Sequence, residues 1–186
     1  LLIENGVYEL KTVKAIQEAQ RIQTLNYLFS TNTQHGKIIN FRPASVEYEF
    51  VSTTLNNRSR KQFTIQCDPW RALSQEAETL KNLMLELLED WGAFLDTHLY
   101  EEALIHFLGG EENCVRAVQI RNDNQLLGTQ KLNVLSESEF FMITAARNNT
   151  SPLKNHLKKL MRHTSLEHLY WINLNHSEIQ FATLEK

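Results

Sequence analysis

Apolar positions recur along this chain with two periods, and the switches between them predict its elements. "LLIENGVYEL" reads as a hairpin, with apolar runs on either side of Asn5-Gly6, a dipeptide that favours a tight β-turn. "VKAIQEAQRIQTLNYLFS" changes to helical spacing, with Ala15, Ala19, Ile22, Leu25, Leu28 and Phe29 as its stripe. "GKIINF" and "VEYEFVSTTL" read as strands parted by a turn at Arg42-Pro43, and "KQFTIQC" is a third candidate strand. Residues 1–66 thus predict hairpin, helix, strand, strand.

"RALSQEAETLKNLMLELLED", residues 71–90, predicts a long amphipathic helix striped by Leu73, Ala77, Leu80, Met84, Leu87 and Leu88. Asp68-Pro69 is its start signal. A second helix over residues 95–108 stops at Gly109-Gly110. "CVRAVQI", "QLLGTQKLNVL" and "EFFMITAA" follow as strands, then a helix over 151–162 that opens with Ser151-Pro152. "HLYWINL" and "EIQFATL" close the chain as strands.

The end of the chain repeats its beginning. An offset of 133 residues carries Ile39-Asn40-Phe41 to Ile172-Asn173-Leu174, Val46 to Ile179, Tyr48 to Phe181 and Val51 to Leu184. It also carries Val7, Tyr8 and Leu10 to Phe140, Phe141 and Ile143. Any two αβ segments share apolar periods, but one constant offset across three strands points to a degenerate repeat.

Composition narrows the class. With 42% hydrophobic residues the chain can bury a core, and its net charge of −3 gives no global basic field for nucleic acid. A local basic face could still serve. Lys154, Lys158, Lys159, Arg162 and His163 on the 151–163 stretch, and Arg58, Arg60 and Lys61 in a polar loop, could touch phosphates or lie on solvated faces. Cys67 and Cys114 fit no metal spacing and suit reduced thiols in a cytoplasmic protein. No apolar run is long enough to span a membrane, and no histidine pair has zinc-ligand spacing. The chain opens inside a strand-like run without an initiator Met, as a fragment of a longer protein would.

The chemistry concentrates in "YELKTVK". Strand side chains alternate faces, so Glu9 and Lys11 point the same way. A carboxylate there can ligate Mg²⁺, and a neighbouring ammonium can orient a water or offset charge on a phosphate. A solvated strand face with a surface ion pair is the plain alternative.

"YELKTVKAI", "EAQRIQTLNYL" and "GKIINF" together resemble the GxxExxY proteins of the PD-(D/E)XK nuclease superfamily, over about residues 1–51. The resemblance implies an α/β fold of the restriction-endonuclease-like class, a mixed sheet flanked by helices. It implies a Mg²⁺-dependent nuclease in which Glu9 is the metal ligand, Lys11 the water or phosphate partner and Gln20 a site-positioning residue. Tyr27 matches the aromatic of the family's helix pattern. The family's Asp stands immediately before the "LLxE" run, at a position that would precede Leu1.

The later copy departs from this pattern. "FLDTHLYEEAL" resembles the family's naming helix at Tyr100–Leu104, with Phe94 and Thr97 at its Gly and Glu positions. The Asp, Glu and Lys positions become Asn133, Met142 and Thr144. The expected organisation is a nuclease-like half over 1–66, a linking helix over 67–91 and a degenerate repeat without catalytic residues over 92–186. Nucleic acid is the expected partner. Pairing of copies, as a homo-oligomer or an internal pseudo-dimer, and a non-catalytic interaction module are the readings set beside it.

Overall fold

A computed structural model describes residues 1–67, 69–123, 125–147 and 149–186. The helix-start signal placed on Asp68 falls outside them. Among the described residues the protein is α/β, with two mixed sheets and six helices, in two compact units, Leu1–Gln62 and Phe63–Lys186.

The first unit comprises β1 (Leu2–Ile3), β2 (Gly6–Lys11), α1 (Glu18–Thr31), β3 (His35–Asn40), β4 (Glu47–Ser52) and α2 (Asn57–Arg60). Its sheet has the order β1-β2-β3-β4; β2 and β3 are parallel and the other pairs antiparallel. A parallel pair needs a crossover connection, and α1 supplies it. The opening turn falls one residue earlier than Asn5-Gly6 predicts. Ile3 pairs Gly6, so Glu4 and Asn5 form the loop, and Glu4 takes the left-handed φ of 53°.

α1 also starts later than its apolar stripe suggests. Gln17 and Gln20 form a reciprocal capping box, which leaves Ala15 outside the helix. The buried face is then Thr24, Leu28 and Phe29. The helix crosses β3 where the strand has no side chain: a Cβ at Gly36 would stand 3.0 Å from Thr24 Cγ2 and 3.2 Å from the Val7 carbonyl. Beneath it Val7, Leu28, Ile38 and Val51 form the core of this unit. The short α2 lies where the sequence reads as polar loop. Asn56 and Ser59 cap it, and buried Arg60 lays its guanidinium 4.5 Å from the Phe29 ring centre.

The second unit comprises β5 (Thr64–Gln66), α3 (Gln75–Trp91), α4 (Thr97–Phe107), α5 (Glu111–Cys114), β6 (Val115–Asn122), β7 (Gln125–Val134), β8 (Glu139–Thr144), α6 (Ser151–Arg162), β9 (His168–Asn175) and β10 (Glu178–Glu185). The sheet order is β5-β10-β9-β8-β7-β6, with β8 parallel to β9 and β5 parallel to β10. The third candidate strand thus becomes β5 of this sheet. Residues 71–73 do not open α3: Arg71 N–H donates to Thr183 Oγ1 and Leu73 N–H to the Tyr170 hydroxyl, and Ser74 caps the helix through Ala77 N–H. One sheet face packs Phe141, Ile143, Ile172 and Phe181 with α3 and α4; the other packs Phe140, Trp171 and Ala182 with Leu157 and Met161 of α6.

Both units share one order, strand, helix, parallel strand, antiparallel strand. β2, α1, β3 and β4 shifted by 133 residues fall on β8, α6, β9 and β10. The register is common too: Glu9 pairs Ile38, and Met142 pairs Trp171. A buried asparagine repeats at the same offset. Asn40 accepts from Val13 N–H at 3.0 Å and donates to its carbonyl at 2.8 Å, and Asn173 makes the same two bonds to Ala146 at 2.8 and 3.0 Å.

Two predictions follow from these contacts. Asn173→Ala strips partners from the N–H and C=O of Ala146 and should cost about 2 kcal/mol. Urea unfolding followed by tryptophan emission reads it, because Trp70, Trp91 and Trp171 all lie in the second unit; a cost below about 0.5 kcal/mol would show the clamp to be dispensable.

The second concerns Arg21, which ties α1 to β4 through a two-pronged contact with Glu49, Nε to Oε1 at 2.6 Å and Nη2 to Oε2 at 3.0 Å. Arg21 holds the Glu49 carboxyl below the ordinary carboxylate range. The folded chain therefore gives up this proton more readily than the unfolded chain, whose glutamates titrate near about 4.3. The stabilisation is present above that pH and lost as pH falls through the lowered folded value. At pH 6 Glu49→Gln should melt below the wild type by circular dichroism, and the gap should close toward pH 3; a gap independent of pH contradicts the assignment.

Candidate active site

Strand alternation builds the site. Val7, Glu9 and Lys11 project from one face of β2, toward α1. Val7 enters the core under the apolar end of the helix. The two charged residues continue toward the other end, where α1 presents glutamines. Both are half-buried, with side chains 15% exposed for Glu9 and 17% for Lys11, and Lys11 Nζ lies 2.7 Å from Glu9 Oε1. Lys11 also donates to Gln23 Oε1 at 2.6 Å, and Gln23 Nε2 donates to the Tyr27 hydroxyl at 3.0 Å. The result is a connected row, Glu9, Lys11, Gln23, Tyr27, opening to solvent at Tyr27, which is 41% exposed.

The structure thus brings Glu9 and Lys11 together and places Gln20 differently. Gln20 Oε1 accepts from the Gln17 N–H at 2.9 Å, so its carbonyl serves the helix cap. Gln23 is the helix amide that meets Lys11. It stands on the same helix face as Gln20 and Tyr27, three and four residues away, and that spacing is the signal that could have found it.

Register adds two carboxylates that sequence reasoning missed. Lys11 aligns across the sheet with Asn40 and Glu47, and Glu9 with Ile38 and Glu49. Asn40 is fully buried and donates to Glu47 Oε2 at 3.0 Å. Alternation in "VEYEF" carried this information, since Glu47 and Glu49 share a face. They lie two strands from β2, about 10 Å at the usual strand spacing, and Glu49 is held by Arg21.

No group of three or more His, Cys, Asp or Glu side chains able to hold a metal occurs among the described residues. Glu9 is the carboxylate of the row. Mg²⁺ commonly takes one or two protein carboxylates and fills its remaining positions with waters and phosphate oxygens. Glu9 fits one such ligand position.

The corresponding positions of the second unit are packed. Asn133 Nδ2 donates to Glu101 of α4. Met142 packs against the apolar cluster under α6. The Thr144 hydroxyl accepts from Trp171 Nε1 at 2.9 Å and donates to Asn173 Oδ1 at 2.8 Å.

Comparison with known proteins bears on the first unit. No curated protein and no solved structure matches the chain. Residues 1–51, which hold Glu9, Lys11, Gln20 and Gln23, match the model of a family described as PD-(D/E)XK nuclease superfamily.

Proposed function

We propose that the first unit carries a Mg²⁺-dependent nuclease site of the GxxExxY type and that the second unit is a copy of it without the chemistry. The observation that carries the reading is the Glu9–Lys11 pair, half-buried on one strand face within the segment that matches the nuclease superfamily. In this reading Glu9 is a metal ligand, and the Asp that the family pattern places before Leu1 is the second one. Bound Mg²⁺ would polarise a phosphate and make a coordinated water more acidic.

The protein's own groups do the rest. Lys11 is held by Glu9 on one side and the Gln23 carbonyl on the other, which fixes the ammonium for a water or a phosphate oxygen. Gln20 positions the site indirectly, by fixing where α1 begins and hence where Gln23 stands. The degenerate-copy reading rests on the common offset, the shared register and the repeated asparagine clamp. At the positions of Glu9 and Lys11 a thioether and a hydroxyl can provide neither a carboxylate ligand nor a charge. A second reading, a non-catalytic interaction module, is favoured by those same substitutions.

Plasmid nicking in Mg²⁺ decides between them. Glu9→Ala and Lys11→Ala should each lower the rate at least about 100-fold, the scale of one positioned acid–base or electrostatic group. Nicking by Glu9→Ala at the wild-type rate ends the catalytic assignment. Gln23→Ala should slow nicking more than Gln20→Ala does, since only Gln23 touches Lys11; the reverse order returns the positioning role to Gln20.

A further inference from the structure

The second unit contains a cleft of about 940 Å³ between β6, the loop before β8 and the residues that join α6 to β9. We infer that this cleft binds the phosphodiester backbone of a nucleic-acid strand, which rests on the nuclease reading only for the identity of the strand as substrate.

Three guanidiniums line it. Arg116 and Arg121 come from β6 and Arg162 from the end of α6, with His163 beside it. Asp123 and Glu137 also line the cleft, yet among the described residues none of the three arginines forms an ion pair with them or with any other carboxylate. Arg121 donates through Nε and Nη2 to Gln119 Oε1, a neutral partner that holds its plane and leaves its charge uncompensated. Three like charges gathered without counter-ions repel one another, and an incoming anion relieves that repulsion.

The walls are fixed before anything binds. Arg121 N–H donates to the His163 carbonyl at 2.7 Å, and His163 Nδ1 donates back to the Arg121 carbonyl at 2.8 Å. This reciprocal pair bolts β6 to the end of α6. Guanidinium forks match phosphate oxygens two at a time, so pre-set arginines favour phosphate over a generic anion.

The positive surface continues along α6, whose twelve residues include Lys154, Lys158, Lys159 and Arg162 and no carboxylate. Lys158, Lys159 and Arg162 are exposed. Cations near a helix C-terminus also satisfy its dipole, but that does not account for Arg116 and Arg121 on the facing strand. A chain with a net charge of −3 has concentrated cations here. A cleft that runs on into a row of lysines suits a strand with several phosphates better than a single phosphate. The cleft also lies away from the positions equivalent to Glu9 and Lys11. It borders the loop before β8, whereas Thr144 ends that strand, about 20 Å along at the usual rise.

The test is fluorescence anisotropy of the full chain with a labelled single strand of about 20 nucleotides, DNA or RNA, in EDTA, over about 50–200 mM salt. The wild type should bind, with affinity falling as salt rises. R116E/R162E should weaken binding at least tenfold, and R116A/R162A should flatten the log–log salt slope by about 1.5, for two lost phosphate contacts. Arg58→Glu, an exposed cation of the first unit, should change affinity less than twofold. Glu9→Ala should bind as the wild type does. Inorganic phosphate should compete only weakly; full displacement by stoichiometric phosphate would overturn the choice of a strand as ligand. Unchanged affinity and slope in both arginine variants, or no binding by the wild type, overturns the proposal. Arginine-dependent binding without nicking supports the cleft and ends the nuclease reading. Nicking with arginine-independent binding does the opposite.

Discussion

A buried asparagine amide closes the loop that leaves the central strand of each unit, and much of the architecture hangs on it. A chain that exits a strand inside the fold must satisfy its backbone polar groups without water. Asn40 does this for Val13, two residues beyond Lys11, and Asn173 does it for Ala146, two beyond Thr144. The clamp fixes where β2 ends, and hence where Glu9 and Lys11 stand relative to the first turn of α1. Its second role differs between the units. Asn40 donates to a carboxylate, Glu47, whereas Asn173 accepts from a hydroxyl, Thr144. The same backbone device therefore supports a charged row in one case and a neutral, packed one in the other.

The two sheets differ most on the face away from α1 and α6. In the second unit Phe141, Ile143, Ile172 and Phe181 lie under α3 and α4. The offset of 133 residues takes these to Tyr8, Leu10, Ile39 and Tyr48, of which Leu10 and Tyr48 are 49% and 60% exposed. Lys37 lies 4.2 Å from the Tyr48 ring centre on that face, where the second unit has Tyr170. Tyr170 is buried and donates to Glu139 at 2.6 Å, and burial together with this carboxylate pushes its hydroxyl up to about 12. The same strand positions thus serve an apolar layer beneath helices in one unit and an open aromatic surface in the other.

No helix among the described residues is long and apolar enough to cross a membrane. The charges of the molecule are distributed by element. The carboxylates Glu9, Glu47 and Glu49 gather on one sheet face of the first unit, and the uncompensated arginines gather in the second. Net charge, one number for the whole chain, conceals both.

Element types, their order and the internal offset were legible in the sequence, because periods of 2 and 3.6 are imposed by backbone geometry on any chain that buries one face. Alternation alone put Glu9 and Lys11 on one face and showed that the later copy carries Met142 and Thr144 instead. Element ends were less legible. Competing hydrogen-bond partners, such as Thr183 for Arg71 and the Gln17–Gln20 box for α1, decide them, and these depend on what folds nearby. Only the tertiary structure gave Lys11 to Gln23 and Gln20 to the cap, since both glutamines share a helix face and the choice depends on how far α1 slides along β2. It alone placed Arg116, Arg121 and Arg162 around one cleft, because the loops and the parallel crossover that bring distant segments together leave no period in the chain.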